Sequence, residues 1–169
     1  MISSKLQQAI NDQITAELWS SQLYLQMSYY LKHQGWDGYS HWLRCHAEEE
    51  RKHATMMADY MTDRGGMVKL QMIDVAPTGW GSVLEVYEHA LSHEKMVSKM
   101  INTIVLHAIE EQDFATENFF RTFVDEQVEE EASVGGVLAT LRLIGDDKNA
   151  LLLLDKDLAT RTFTAPVIG

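Results

Sequence analysis

The sequence has little cysteine, little proline and few basic residues, and each shortage excludes a class of protein. Its 169 residues include one Cys and two Pro, and 14 Lys and Arg stand against 25 Asp and Glu, for a formal net charge of -11. A single Cys excludes an internal disulfide framework and any multi-cysteine zinc or iron–sulfur site. Because nucleic-acid backbones and anionic membranes are themselves negative, the acidic excess predicts that neither is a partner and favours cations instead.

Long apolar runs and export signals are also absent. The longest stretch without formal charge, residues 18–31, has 14 residues and contains Ser, Gln and Tyr, whereas a helix needs about 20 apolar residues to cross a bilayer. The first eight residues lack the basic and apolar segments of a secretory signal. Together with the single Cys, these features predict a cytoplasmic protein. A chain of this length is expected to form one domain, residues 1–169.

The residues that interrupt helices cluster in a few places, which leaves room for long helices between them. Glycine and proline concentrate near positions 35–38, 65–66, 77–81 and 145. The predicted N-caps are Ser4, Asp37, Ser82 and Asp113. The pattern predicts helices at about residues 4–32, 38–64, 82–110 and 114–144, a short helix at about 147–158 and a loose tail at 162–169.

The lengths of the connections predict how these helices are arranged. The first and second helices, and the third and fourth, are joined by only a few residues, so each pair forms an antiparallel hairpin. About 17 residues separate the second helix from the third, and at ~3.3 Å per residue this link can run the ~40 Å length of a helix. The prediction is an all-α fold: a four-helix bundle over residues 4–144 with one long crossover, followed by a short fifth helix.

A polar residue interrupts the buried seam of every long helix. Steps of four and three residues trace each seam, and on them lie Glu17, Glu50, Glu94, Gln127 and Glu130. Each lies near the middle of its predicted helix, so the side chains converge on one layer whichever way the helices point. The sequence therefore predicts a polar layer halfway along an otherwise apolar core.

The charge of this layer points to bound cations. Buried carboxylates that face one another carry a desolvation penalty and repel each other, so they either share protons or bind metal. Two divalent ions would balance the four glutamates of the layer, and His53, one turn after Glu50, adds an imidazole. Oxygen-rich ligation with one imidazole favours Fe or Mn over structural zinc. The alternatives are pairing with Lys or Arg, which the seams lack, or a register error that leaves the glutamates solvated.

These residues and the crossover make the chain resemble the bacterial non-haem ferritins, over about residues 4–160. The segments that carry the resemblance are Glu17-Leu18, His46-Ala47-Glu48-Glu49-Glu50-Arg51-Lys52-His53, Glu94, Glu126-Gln127-Val128-Glu129-Glu130-Glu131 and Asp155-Lys156-Asp157-Leu158. The resemblance implies a ferritin-like four-helix bundle with ferroxidase activity. Such a protein oxidises Fe(II) with O2 or H2O2 and stores the ferric mineral in a homo-oligomeric 24-subunit shell.

The resemblance also implies a set of iron ligands. One iron would be held by Glu17, Glu50 and His53, with Glu50 as the bridge to a second iron. The second iron would be held by Glu94 and Glu130. Gln127 would lie beside this di-iron centre through hydrogen bonds.

Two further roles are implied by the resemblance. Tyr24, seven residues after Glu17 on the same stripe, would stand beside the irons as an electron or proton donor, although a seam Tyr is by itself most often a core residue. A third iron would be held by Glu49, Glu126, Glu129 and Glu130. From the sequence alone, the acidic run that contains the last two is typical of a solvated helix face.

The chain departs from related families in ways that exclude haem. A bacterioferritin carries a haem-ligating Met between the Glu and His of its first pair, where this chain has Arg51 and Lys52. Its second Glu-x-x-His is replaced here by Gln127-x-x-Glu130, which predicts two unequal irons and no haem. Cys45 is interpreted as a buried helix residue, with a redox thiol as the alternative.

Two other functions remain open at this stage. One is a di-iron peroxidase or oxygenase of low oligomeric state that stores nothing. The other is a non-catalytic helical scaffold whose seam glutamates are protonated or paired. Particle size separates the first from a storage shell, and bound iron separates the second.

Overall fold

The computed structural model describes residues 2–163, and in this range the chain contains helices and no strands. The five helices are α1 (Ser4–His33), α2 (Asp37–Asp63), α3 (Val83–Glu110), α4 (Phe114–Ile144) and α5 (Lys148–Leu158). The predicted fold class is confirmed. Among the described helices, none is long and apolar enough to cross a membrane. Most of the predicted tail, residues 164–169, lies outside the described range, and the division into a single domain stays a prediction.

The helices begin where side chains accept hydrogen bonds from free backbone N–H groups. Ser82 Oγ and Asp113 Oδ1 each accept one at 3.1 Å, from Glu85 N and Thr116 N. The prediction of Ser4 as the first N-cap was wrong by one residue, because Ser3 Oγ caps α1 by accepting from Leu6 N at 3.1 Å.

The second helix is capped from a distance. Asp37, predicted as its N-cap, is instead its first residue, and the preceding Trp36 offers no capping side chain. The acceptor is Asp155 of α5, whose Oδ1 receives the N–H groups of Gly38 at 2.8 Å and Tyr39 at 2.9 Å. The start of α2 and the last helix therefore stabilise each other.

The four long helices form a bundle in which α2 and α3 run parallel. Tyr39 and Tyr87, near the starts of these two helices, pack with ring centroids 6.0 Å apart. Residues 64–82 carry the chain between the two ends of the bundle. Asn11 of α1 fixes this crossover, since its Nδ2 donates to Met67 O at 3.1 Å and its Oδ1 accepts from Lys69 N at 2.7 Å.

The apolar core is divided into two clusters, one toward each end of the bundle. On α1, the seam residues up to Ile14 belong to one cluster and those from Leu23 onward to the other. The same gap between buried cluster members opens on each of the other long helices, and it falls at residues 48–53, 91–96 and 124–133. All four long helices thus place their polar interruptions at one height.

Candidate metal centre

The gap between the two apolar clusters is filled by the polar side chains that interrupt the seams. All six predicted residues of this layer are buried, with at most 5% of the surface exposed, namely Glu17, Glu50, His53, Glu94, Gln127 and Glu130. Each side chain is brought inward by its place on a helix whose flanking turns bury apolar residues. The arrangement therefore concentrates carboxylates where water cannot solvate them.

Glu17, Glu50 and His53 form a compact group of potential ligands. One ligand atom from each lies within 4.8 Å of the others, and His53 Nδ1 is 3.0 Å from Glu50 Oε2. Gln13 Nε2 donates to Glu17 Oε1 at 2.7 Å, which orients that carboxylate. Within residues 2–163, Glu17 Oε2, Glu50 Oε1 and His53 Nε2 are buried without a hydrogen-bond partner. Buried polar atoms are normally satisfied, so these three atoms fit a cation.

The electrostatics of the layer favour the same interpretation. Burial and the carboxylates of Glu94, Glu17 and Glu130 raise the pKa of Glu50 well above its ordinary value. Burial and the Glu130 carboxylate raise the pKa of Glu94 to about 7. Neutralising this layer requires protons or cations, and a metal ion supplies the charge without protonating the ligands.

Glu94, predicted to bind the second iron, is held by two neighbours. Tyr24 OH donates to its Oε1, and Gln127 Nε2 donates to its Oε2 at 3.0 Å. Ser98 Oγ lies 3.3 Å from the same amide nitrogen. Gln127 thus contacts a carboxylate of the layer, and its role beside the irons stays a prediction. Because both oxygens of Glu94 are already engaged, this residue does not join a compact ligand group in this structure.

A second compact group contains His46, Glu49 and Glu130. His46 Nδ1 lies 3.0 Å from Glu130 Oε2 and 3.6 Å from Glu49 Oε2, which is ion-pair distance. Neither imidazole nitrogen has a partner with hydrogen-bond geometry. Burial alone would raise the pKa of Glu130, but His46, Arg161 and His53 hold it below the ordinary value.

The predicted third iron site is assembled only in part. Glu49 and Glu130 come together, but the other two predicted ligands are not in either compact group. Glu126 is half-buried with its Oε1 3.9 Å from His53 Nε2, and Glu129 is exposed. Glu129 directly precedes the buried Glu130 and therefore faces solvent, whereas Glu126, one turn before Glu130, keeps a half-buried position on the same side of α4.

The sequence analysis missed one member of this second group, His46, and one neighbour that contacts it, Arg161. His46 stands three residues before Glu49 and four before Glu50, a spacing that places all three on neighbouring parts of one helix, so a signal was present. Arg161 gave no signal, because it follows α5 and reaches Glu49 Oε2 at 2.7 Å only in the folded chain. Cys45 is buried, and burial raises the pKa of its thiol, which disfavours the reactive thiolate.

The chain is similar to known proteins over nearly its whole length. Residues 7–144 match the family described as Ferritin-like domain. A bacterial non-heme ferritin from Bacteroides fragilis is 48% identical over 161 residues, covering 95% of this chain and 100% of the relative. A probable bacterial non-heme ferritin-like protein from Haemophilus influenzae is 36% identical, covering 94% of this chain and 96% of the relative.

Solved structures show the same similarity in three dimensions. An open pore ferritin from the hyperthermophilic archaeon Archaeoglobus fulgidus superposes with a TM-score of 0.95 at 47% identity, covering 96% of this chain and 100% of that one. An engineered closed form of the Archaeoglobus fulgidus ferritin also superposes with a TM-score of 0.95. The match of sequence and backbone over this length, with the carboxylate layer at its centre, means that the chain belongs to the ferritin family.

Proposed function

We propose that this protein stores iron and is a ferroxidase that oxidises Fe(II) at a centre inside each subunit. The observation that carries the proposal is the set of three partnerless, buried ligand atoms on Glu17, Glu50 and His53. A non-catalytic scaffold gains nothing from such atoms, because each costs free energy that a hydrogen bond or apolar residue would avoid. Membership of the ferritin family supplies the iron chemistry.

In this proposal the ligands divide between two substrate ions. Glu17, Glu50 and His53 hold one Fe(II), and Glu50, whose Oε1 has no hydrogen-bond partner among the described residues, is assigned as the bridge to the second ion. Glu94 and Glu130 hold the second. Carboxylate oxygens stabilise Fe(III) more than Fe(II) and so favour oxidation. Two adjacent Fe(II) ions each lose one electron, and these two electrons, together with two protons from water, reduce O2 to H2O2 or H2O2 to two water molecules.

Tyr24 and Gln127 position the second set of ligands. Both donate hydrogen bonds to the Glu94 carboxylate, which fixes its two oxygens in the layer. Burial and the carboxylates of Glu94 and Glu50 raise the pKa of Tyr24 well above its ordinary value. Its hydroxyl therefore keeps its proton at neutral pH, and we assign Tyr24 as the donor of a proton or an electron beside the irons.

The finer composition of the site belongs to the same proposal. The subunit takes two irons at the ferroxidase centre and a third at the carboxylates of Glu49, Glu126, Glu129 and Glu130, and it binds no haem. Of these four, Glu49 and Glu130 already lie together beside His46. A cytoplasmic location, inferred from the sequence, stays a prediction.

We further propose that the chains assemble into a shell of 24 copies. Large apolar side chains remain exposed on the bundle and on α5, including Leu143 at 89%, Phe114 at 68% and Leu153 at 68%. Contacts between copies would remove this apolar surface from water. A shell of 24 chains of 19.3 kDa has a mass of about 460 kDa.

The test is the initial rate of Fe(II) oxidation by stopped-flow absorbance. Glu50→Ala should abolish the fast phase, because it removes the carboxylate shared by the two ions. Glu48→Ala is the matched control, since Glu48 is two residues away on the same helix, is exposed and forms an ion pair with Arg51. An unchanged rate in Glu50→Ala would refute the site.

Gel filtration and metal analysis separate the alternatives. A particle near 460 kDa that retains iron after purification from iron-supplemented cells supports storage. A small oligomer that oxidises Fe(II) and retains no mineral would instead indicate a di-iron peroxidase or oxygenase. Protein without any bound iron and without oxidation would indicate a scaffold.

A further inference from the structure

An arginine from the end of the chain enters the second ligand group. Arg161 follows α5, and only 20% of its side-chain surface is exposed. Its Nη2 donates to Glu49 Oε2 at 2.7 Å, and its guanidinium lies 4.5 Å from the ring centroid of Trp42. The guanidinium thus stands directly beside a carboxylate of the group formed by His46, Glu49 and Glu130.

The backbone around Arg161 is fixed on α2. Its carbonyl oxygen is 2.7 Å from His41 Nε2, and six residues earlier Asp155 caps the start of α2 by accepting from two backbone N–H groups. Tyr39 OH adds a hydrogen bond to Leu151 O at 3.0 Å. Because the chain is attached to α2 at Asp155 and at the Arg161 carbonyl, the guanidinium is held in place beside Glu49.

The Arg161 guanidinium neutralises a carboxylate that a metal ion bound to His46, Glu49 and Glu130 would also neutralise. Both a metal ion and a guanidinium neutralise carboxylates, and charge-assisted hydrogen bonds of this kind are the strong ones. Glu49 Oε2 lies within reach of His46 and is also the acceptor for Arg161. A metal ion placed between His46 and Glu130 would compete with the guanidinium for this oxygen, since both cations draw on the same carboxylate charge.

We propose that Arg161 is a built-in counter-cation of the group formed by His46, Glu49 and Glu130, which a metal ion must displace from Glu49 in order to bind there. The inference rests on the proposed function only in that this group receives a metal ion. Arg161 then lowers the affinity of this second site relative to the centre at Glu17, Glu50 and His53. By linkage, metal at the second site weakens the attachment of the segment after α5.

The test is equilibrium binding of Tb³⁺, a redox-inactive ion whose emission is sensitised by a nearby indole. Trp42 lies 4.1 Å from His46 between ring centroids, so it reports on the second site. Emission that is lost in Glu49→Gln defines the signal of that site. Arg161→Gln should tighten Tb³⁺ binding there by roughly tenfold or more, because it removes the competing charge.

Two further variants separate charge from other effects. Arg161→Lys keeps a cation and should bind Tb³⁺ less tightly than Arg161→Gln. Arg51→Gln removes the same charge from an exposed position on α2, where Arg51 forms an ion pair with Glu48, and should leave the affinity unchanged. Equal affinities in the wild type and Arg161→Gln would overturn the proposal, and so would equal tightening in Arg161→Lys and Arg161→Gln.

The linked effect on the chain end is measured by hydrogen exchange. Saturating Tb³⁺ should increase exchange at residues 158–163 in the wild type but not in Glu49→Gln, and no increase in the wild type would contradict displacement. A calorimetric titration with Zn²⁺ measures binding at Glu17, Glu50 and His53, and this binding does not depend on Arg161. If Zn²⁺ fails to bind there, the proposed function fails; if it binds and Arg161→Gln changes nothing, only this inference fails.

Discussion

Replacing Gly38 with alanine should detach α5 from the bundle and leave the four long helices in place. A Cβ at this position would lie 1.5 Å from the carbonyl oxygen of Asp155 and 2.4 Å from its carbonyl carbon. These are backbone atoms, so no side-chain rotation relieves the contact. To restore ordinary van der Waals distances, α5 has to move by roughly 2 Å.

The size of the effect follows from the contacts that such a movement breaks. Asp155 Oδ1 would lose its two hydrogen bonds from the N–H groups of Gly38 and Tyr39, and Leu151 O would lose the one from Tyr39 OH. Hydrogen bonds to a charged group contribute about 1.5–3 kcal/mol each and neutral ones about 1 kcal/mol. We therefore expect the free energy that holds α5 on the bundle to fall by about 4–7 kcal/mol.

Hydrogen exchange of the amides of residues 148–158 measures this free energy directly. Gly136→Ala is the matched control, because Gly136 is also helical but a Cβ there meets nothing within 4 Å. That substitution should stabilise α4 by about 0.5–1 kcal/mol, the usual gain of Ala over Gly in a helix. Protection of the α5 amides in Gly38→Ala equal to that of the wild type would refute the reasoning.

Three further predictions concern the layer and the crossover. The pKa of Glu94 is raised from 4.5 to about 7, so between these pH values the native metal-free protein holds a proton that the unfolded chain releases. The contribution of Glu94 to the free energy of unfolding should therefore be largest below pH 4.5 and fall as the pH rises to 7. Chemical denaturation should show this dependence reduced in Glu94→Gln, and an identical profile would contradict it. Tyr24→Phe removes a hydrogen-bond donor to Glu94 but keeps the aromatic ring. Stopped-flow measurements should therefore show Fe(II) oxidation that is slower than in the wild type but faster than in Glu50→Ala. A rate equal to that of the wild type would show that Tyr24 has no part in the mechanism. Asn11→Ala leaves Met67 O and Lys69 N without their partner and should destabilise the crossover by about 1–3 kcal/mol. Proteolysis within residues 64–82 should then be faster than in the wild type, and an unchanged rate would show that Asn11 does not hold the crossover.

The sequence by itself determined the long helices and the height of the polar layer. A helix seam is a local property, because steps of three and four residues bring side chains to one face whatever the partner is. Glu17, Glu50 and Glu94 could therefore be placed in one layer from helix midpoints alone, and all three are buried there. Gly35 and Gly65, each at positive φ, follow the ends of α1 and α2 for the same local reason.

Only the tertiary structure decided which partners these side chains have. The cap of α2 comes from Asp155, 117 residues after Gly38, and not from the adjacent Asp37. The guanidinium beside Glu49 comes from Arg161, 112 residues further along the chain. Contacts over such separations depend on how α5 docks against the bundle, and a helical period carries no information about that. The seam thus placed the carboxylates in one layer, while the docking of the last helix determined which of them meets a positive charge from the chain itself.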